Sequence, residues 1–146
     1  MSVKILILGS TGLLGSKLLK FLDSKNIIIN TATCYRNNKK LIYQKDKYKI
    51  KNIFTLSNED EKSKFLKHLK SNFDIIYFLD FGSSSLVYLN QFLKYNINST
   101  IAIANKEMII AGGMFLFKRI KSSKNSFVPL DSEHFSLKNS LIDKNV

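Results

Sequence analysis

The chain has 146 residues, 45% of them hydrophobic, with eleven Phe and six Tyr; this suits one domain with its own core and excludes a disordered segment. No apolar run nears the ~20 residues of a membrane span, and no signal-peptide pattern opens the sequence, so no membrane partner and a cytoplasmic location are expected. The formal net charge is +12, but Arg36 and Arg119 are the only arginines and the lysines are scattered, which argues against a nucleic-acid partner and favours small anionic ligands.

Val3 to Leu8, broken only by Lys4, reads as a strand covered on both faces. Gly9-Ser10-Thr11-Gly12-Leu13-Leu14-Gly15 follows, and Leu14, Leu18, Leu19 and Leu22 then recur at helical spacing. Glycines placed between a strand and a helix suit a phosphate turn. Gly9 permits the tight turn, Gly12 lets backbone approach a pyrophosphate, and Gly15 lets helix and strand meet closely. Backbone N–H groups from Thr11 through Leu14 would face the ligand, helped by the helix dipole. The same glycines would also serve a turn with no ligand.

Ile27 to Tyr35 reads as the second strand. It carries Cys34, the only cysteine, so no internal disulfide forms and a reducing compartment fits. The strand runs into Tyr35-Arg36-Asn37-Asn38-Lys39-Lys40, where no acid is available to hold a ribose 2′-hydroxyl. Arg36 offers a fork and Asn37 an amide to a 2′-phosphate, which favours NADPH over NADH. The competing reading is a solvated helix start. Tyr43 and Lys47 match a Tyr-x-x-x-Lys pattern of short-chain reductases, but directly after the second strand, too early for a catalytic helix.

A third strand is expected within Ile50 to Leu56. Asn58 then caps a helix with Glu59, Asp60 and Glu61 in its first turn and Lys67, His68 and Lys70 in its last. Phe73 to Phe81 is the fourth strand, and Ser83 to Tyr95 a helix with Leu86, Leu89 and Leu93 inward. Thr100 to Ala104 is the fifth strand, Met108 to Ile120 a helix interrupted at Gly112-Gly113, and Phe127 to Leu130 the start of a sixth strand. The alternation predicts an α/β fold: a Rossmann-type, doubly wound, mainly parallel sheet in the order 3-2-1-4-5-6 with helices on both faces.

Two further segments fall at carboxyl ends of expected strands, where open α/β sheets bind ligands: Ala104-Asn105-Lys106-Glu107 and Pro129-Leu130-Asp131-Ser132-Glu133-His134. Asp131 and Glu133, two residues apart, would lie on one side of an extended chain and could share an ion; equally, they could open a helix, with Asp131 as its cap. His134 makes no zinc pattern with the distant His68 and reads as structural. With the opening GSTGxxG and in this order, the three segments resemble the NADPH-binding half of the 1-deoxy-D-xylulose-5-phosphate reductoisomerases, over essentially the whole chain.

The resemblance implies that Thr11, Gly12, Leu13 and Leu14 contact the phosphates of NADPH, and that Tyr35, Arg36 and Asn37 contact its 2′-phosphate. It gives Asn105 and Glu107 to the cofactor, Lys106, Ser132 and Glu133 to a phosphosugar substrate, and Asp131 and Glu133 to a divalent metal, Mn²⁺ or Mg²⁺. Lys106 and Glu133 are the catalytic candidates. Tyr35 stands where the family commonly has Gly, Arg36 where it has Lys, and Phe135-Ser136-Leu137-Lys138-Asn139 where it has Asn-Ala-Ile-Phe-Gln. Residues 1–146 would be the NADPH-binding domain, ending after the first metal-ligand segment. The family's catalytic and C-terminal domains, its third acidic ligand and its substrate-phosphate contacts are not in this sequence. A fragment or truncated form, inactive alone, is the expectation, with a homodimer for the full-length form. A stand-alone NADPH-binding domain and another Rossmann reductase are the alternatives.

Overall fold

The computed structural model describes residues 2–130. In chain order they form β1 (Ile5–Leu8), α1 (Leu13–Ser24), β2 (Thr31–Cys34), α2 (Asn38–Tyr48), β3 (Asn52–Thr55) and α3 (Glu59–His68). There follow β4 (Ile75–Phe78), a 3₁₀ turn at Ser83–Ser85, α4 (Leu86–Tyr95), β5 (Thr100–Ile103), α5 (Lys106–Ser122) and β6 (Ser126–Pro129). The sheet order is β3-β2-β1-β4-β5-β6, and every pairing is parallel. The order and the doubly wound α/β class are those expected from the sequence.

Successive strand residues point to opposite faces, so each central strand feeds two cores. Leu6, Leu8, Ile76, Phe78, Ile101 and Ile103 meet Phe65 of α3, Leu89 and Phe92 of α4, and Met108, Leu116 and Ile120 of α5. Ile5, Ile7, Ile75, Tyr77 and Ala102 meet Leu18, Leu19 and Leu22 of α1 and Leu41 of α2. Among the described residues, no helix is long and apolar enough to cross a membrane.

Several boundaries differ from the sequence expectation. β2 starts at Thr31, not Ile27, because the chain turns at Asn26 (φ +57°) and Ile28 stays exposed. β4 is four residues rather than nine: the backbone N–H of Phe73 donates to Asn96 Oδ1 at 2.9 Å, and Phe81 leaves the sheet for solvent. α2 adds a helix between the second and third strands; only Leu41 and Gln44 are buried along it, so its periodicity is faint. α3 begins as expected, with Asn58 Oδ1 accepting from the Glu61 N–H at 3.0 Å. α5 starts at Lys106 rather than Met108, and its expected interruption at Gly112-Gly113 is found as a kink, with Gly113 at φ +52°, ψ −147°. Away from the carboxyl edge, Asn96 and Asn125 tie the loops together: Asn125 Nδ2 donates to Asn96 O at 3.0 Å and Asn96 Nδ2 to Leu69 O at 3.1 Å. That satisfied end leaves the opposite, carboxyl edge for a ligand.

Candidate functional site

Between β1 and β4 the strand order reverses direction, and the glycine turn sits at that switch point. Gly9 takes φ +86°, and its N–H and that of Ser10 both donate to Thr33 O at 3.0 Å. A Cβ on Gly15 would lie 2.2 Å from Gly9 O, so α1 can sit this close to the strand only with glycine there. Gly12 differs: its φ is −75°, and a Cβ would meet only Gly9 O at 3.8 Å. Nothing within the protein requires glycine at 12; its bare backbone faces open space. α1 has no side-chain cap and no acid in its first turn, so its leading N–H groups and positive dipole end suit an anion.

α2 anchors the turn from beside it. Gln44, buried, donates from Nε2 to Ser10 O at 2.9 Å and accepts from Ser10 Oγ at 2.8 Å. Lys40 Nζ donates to Thr11 O at 2.8 Å, which brings an ammonium to the rim of the turn.

Two clefts meet at this turn along the carboxyl edge. One, about 470 Å³, runs toward β2 and β3 and includes Thr11, Gly12, Tyr35, Leu56, Ser57 and Tyr88. The other, about 380 Å³, runs toward β5 and includes Leu13, Leu14, Lys17, Asn105, Lys106 and Glu107. Gly12, Leu79, Asp80 and Phe81 line both. The pair therefore forms one crevice, crossed at its middle by the glycine turn, with length on both sides for an elongated ligand.

Most site residues expected from the sequence fall on this crevice. Thr11, Gly12 and Tyr35 line the first half, and Gly12, Leu13, Leu14, Asn105, Lys106 and Glu107 the second. Arg36 is exposed at the end of β2, its guanidinium over the Tyr35 ring at 5.2 Å from the centroid, outside the lining of both halves. Asn37 caps α2, accepting from the Lys40 N–H at 3.2 Å. The Asn105 side chain is buried and engaged at both ends: Oδ1 accepts from the Met108 N–H at 3.1 Å, and Nδ2 donates to Gly82 O at 2.7 Å. It joins the β4–α4 loop to the start of α5. Asp131, Ser132, Glu133 and His134 lie outside the described residues. Among the described residues no cluster of His, Cys, Asp or Glu could hold a metal ion.

Two residues on the crevice were not singled out from the sequence. Lys40 reads there as one of several solvated lysines. Asp80 reads as part of an extended fourth strand; the available signal was a lone acid at the end of an apolar run. Burial pushes the Asp80 carboxyl above its ordinary range, against the lowering influence of Ser85, its own backbone and Asn105. Burial likewise raises the Cys34 thiol, so it lacks the thiolate character of a nucleophile.

No family model matches the chain. Over 97% of its length it is 39% identical to the 1-deoxy-D-xylulose 5-phosphate reductoisomerase of Pelagibacter ubique, and it covers 41% of that protein. It is 33% identical over 96% of its length to the Campylobacter lari enzyme of the same name, covering 40%. In fold it superposes with TM-score 0.77 on the reductoisomerase from Zymomonas mobilis in complex with NADPH, at 20% identity, covering 92% of this chain and 40% of that one. A homoserine dehydrogenase from Thiobacillus denitrificans superposes at 0.64 with 17% identity. The chain spans about two fifths of the length of the curated relatives it matches.

Proposed function

We propose that this chain is the NADPH-binding part of a 1-deoxy-D-xylulose-5-phosphate reductoisomerase, the enzyme that forms 2-C-methyl-D-erythritol 4-phosphate in non-mevalonate isoprenoid synthesis. The observation that carries the reading is the two-sided crevice at the switch point, crossed by the bare backbone of Gly12; the segment that follows β2 carries Arg36 and no acid, while Glu59 of α3 lines the half toward β2 and β3 beside Lys62. Likeness to the reductoisomerases over nearly the whole chain supports it.

In this reading, backbone N–H groups of Thr11, Gly12, Leu13 and Leu14 bind the pyrophosphate. Arg36 and Asn37 hold the 2′-phosphate, and the Tyr35 ring backs the guanidinium. Asn105 and Glu107 flank the hydride-bearing end. Lys106, exposed at the start of α5, orients a substrate oxygen and offsets its charge. The strand β6 brings the chain to the same edge, Leu130 N–H donating to Ile103 O at 2.9 Å. Asp131 and Glu133 next along would hold a divalent ion and Ser132 the phosphosugar. Such an ion, bound by hard carboxylate oxygens, supplies charge stabilisation at the ketone and hydroxyl oxygens. Residues 1–146 form the cofactor domain; substrate turnover, a third acidic ligand and homodimerisation belong to the full-length enzyme, in the cytoplasm. The single cysteine and the absence of a long apolar helix among the described residues suit that location.

NADPH is expected to bind the chain more tightly than NADH, and Arg36→Ala to shrink the gap by about tenfold or more, since one charge-assisted hydrogen bond contributes roughly 1.5–3 kcal/mol. Calorimetric titrations of both nucleotides test this. Equal affinities in the unmutated chain would overturn the reading.

A further inference from the structure

We propose that Asp80 is a cofactor-binding residue, its carboxylate accepting a hydrogen bond from a ribose hydroxyl on the side of the turn away from Arg36. The inference rests on the dinucleotide reading above and adds a contact to it.

Asp80 follows β4 and sits against the phosphate turn. A Cβ on Gly9 would lie 2.7 Å from the Asp80 nitrogen, so the two backbones touch. The residue lines both halves of the crevice, beside Gly12; in the dinucleotide reading, a cofactor crossing the turn would pass here from its pyrophosphate to its second ribose. Its Oδ2 accepts from the Ser85 hydroxyl. Its Oδ1 is withdrawn from solvent and makes no hydrogen bond of normal geometry among the described residues; the Asn105 amide, which donates to Gly82 O, lies near enough only to lower the carboxyl's pKa. No cation compensates it either: the ion pair found among those residues, Lys64 with Asp60, lies on the exposed face of α3.

A purely structural role accounts for only half of this carboxylate. Tying the β4–α4 loop to Ser85 uses one oxygen and leaves the other buried without a donor, an arrangement that costs free energy until a donor arrives. The Asp side-chain torsion next to the carboxylate is soft, so a small rotation can turn Oδ1 toward the crevice. The donor should be neutral. A phosphate oxygen would be repelled by the carboxylate, whereas a ribose hydroxyl brings a proton and no charge. On the Arg36 side the first ribose carries a 2′-phosphate in NADPH; beyond the turn, the second ribose presents a free diol.

The test compares three ligands that share the Arg36 side. Adenosine 2′,5′-bisphosphate stops at the first phosphate, 2′-phospho-ADP-ribose adds the second phosphate, which a carboxylate can only repel, and the ribose, and NADPH adds the nicotinamide as well. With Asp80→Ala, affinity for NADPH and for 2′-phospho-ADP-ribose is expected to fall about tenfold or more, with Asp80→Asn intermediate, while the bisphosphate is unaffected. Circular dichroism melts of both variants check that the fold survives; should Asp80→Ala not fold, the isosteric Asp80→Asn carries the test. Unchanged affinity for 2′-phospho-ADP-ribose overturns the proposal, and so does tighter NADPH binding by Asp80→Asn, which would mean that the carboxylate only repels the pyrophosphate. An equal loss for all three ligands also overturns it, since the damage then lies in the turn. If none of the three binds the unmutated chain, it is the dinucleotide reading that fails.

Discussion

Gly12 and Gly15 stand three residues apart in one turn and answer to different demands. At Gly15 the constraint is internal: a Cβ would come within 2.2 Å of Gly9 O and 2.5 Å of Ser10 Cα. At Gly12 the protein leaves room, so the constraint belongs to the ligand. Gly15→Ala should therefore destabilise the fold by about 1–3 kcal/mol, as overpacking does, and lower the melting temperature. Gly12→Val should melt nearly as the parent does yet lose NADPH in a fluorescence titration. A Gly15→Ala melt indistinguishable from the parent would contradict the packing argument. The spacing of these glycines between a strand and a helix made the turn legible in the sequence. Lys40 and Asp80 were not legible, because their partners come from elsewhere in the chain. Lys40 reaches Thr11 across 29 positions, and Asp80 meets Gly9 only through pairing of β1 with β4.

Elements with strong local signals were found in the sequence close to where they form, and those held by distant contacts were not. α3 announces itself through Asn58 and the acidic first turn. α2 carries few apolar residues, and what fixes it is the Gln44 exchange with Ser10 and the burial of Leu41. Apolar residues continue past the ladder and lengthen the apparent strands: Ile27 and Phe73 pack against the core from loops. The Gly112-Gly113 pair reads as an interruption of the helix, and the chain does leave helical geometry there. Gly113 holds a conformation open essentially to glycine alone, and past it Leu116 and Ile120 return to the core while Phe117 meets Phe127 edge-on at 5.0 Å. Gly113→Ala should cost about 1–3 kcal/mol, although nothing lies within 4 Å of the added methyl. Urea denaturation reads this as a lower midpoint with an unchanged slope. An unshifted midpoint would mean that the bend is not held to this conformation.

At the scale of the whole molecule, strand–helix alternation determined the sheet order, since right-handed crossovers between parallel strands leave few topologies. The stability of that sheet should depend on pH through His68, which joins three elements at one side of it. Its Nε2 lies 2.7 Å from Thr31 Oγ1 of β2, and its ring contacts Phe54 of β3 at 5.2 Å and Phe73 before β4 at 5.5 Å. Burial lowers its pKa below the ordinary 6.5. The unfolded chain then takes up the proton more readily than the folded one, so acid favours unfolding. The contribution is fully present above pH 6.5 and is lost as pH falls through the lower, folded value. Asp80 works in the opposite direction. Its carboxyl is raised above 3.8 by burial, so its contribution is full below that value and is lost as pH rises through the folded pKa. Because both groups act on the parent profile, that profile alone does not isolate His68. The informative quantity is the melting-temperature difference between the parent and His68→Gln, in which the Asp80 contribution cancels. That difference should be larger at pH 7.5 than at pH 5, with the parent losing ground as the imidazole is forced to charge among Phe54 and Phe73. Parallel melting profiles across this range would show that His68 titrates alike in the folded and unfolded chains.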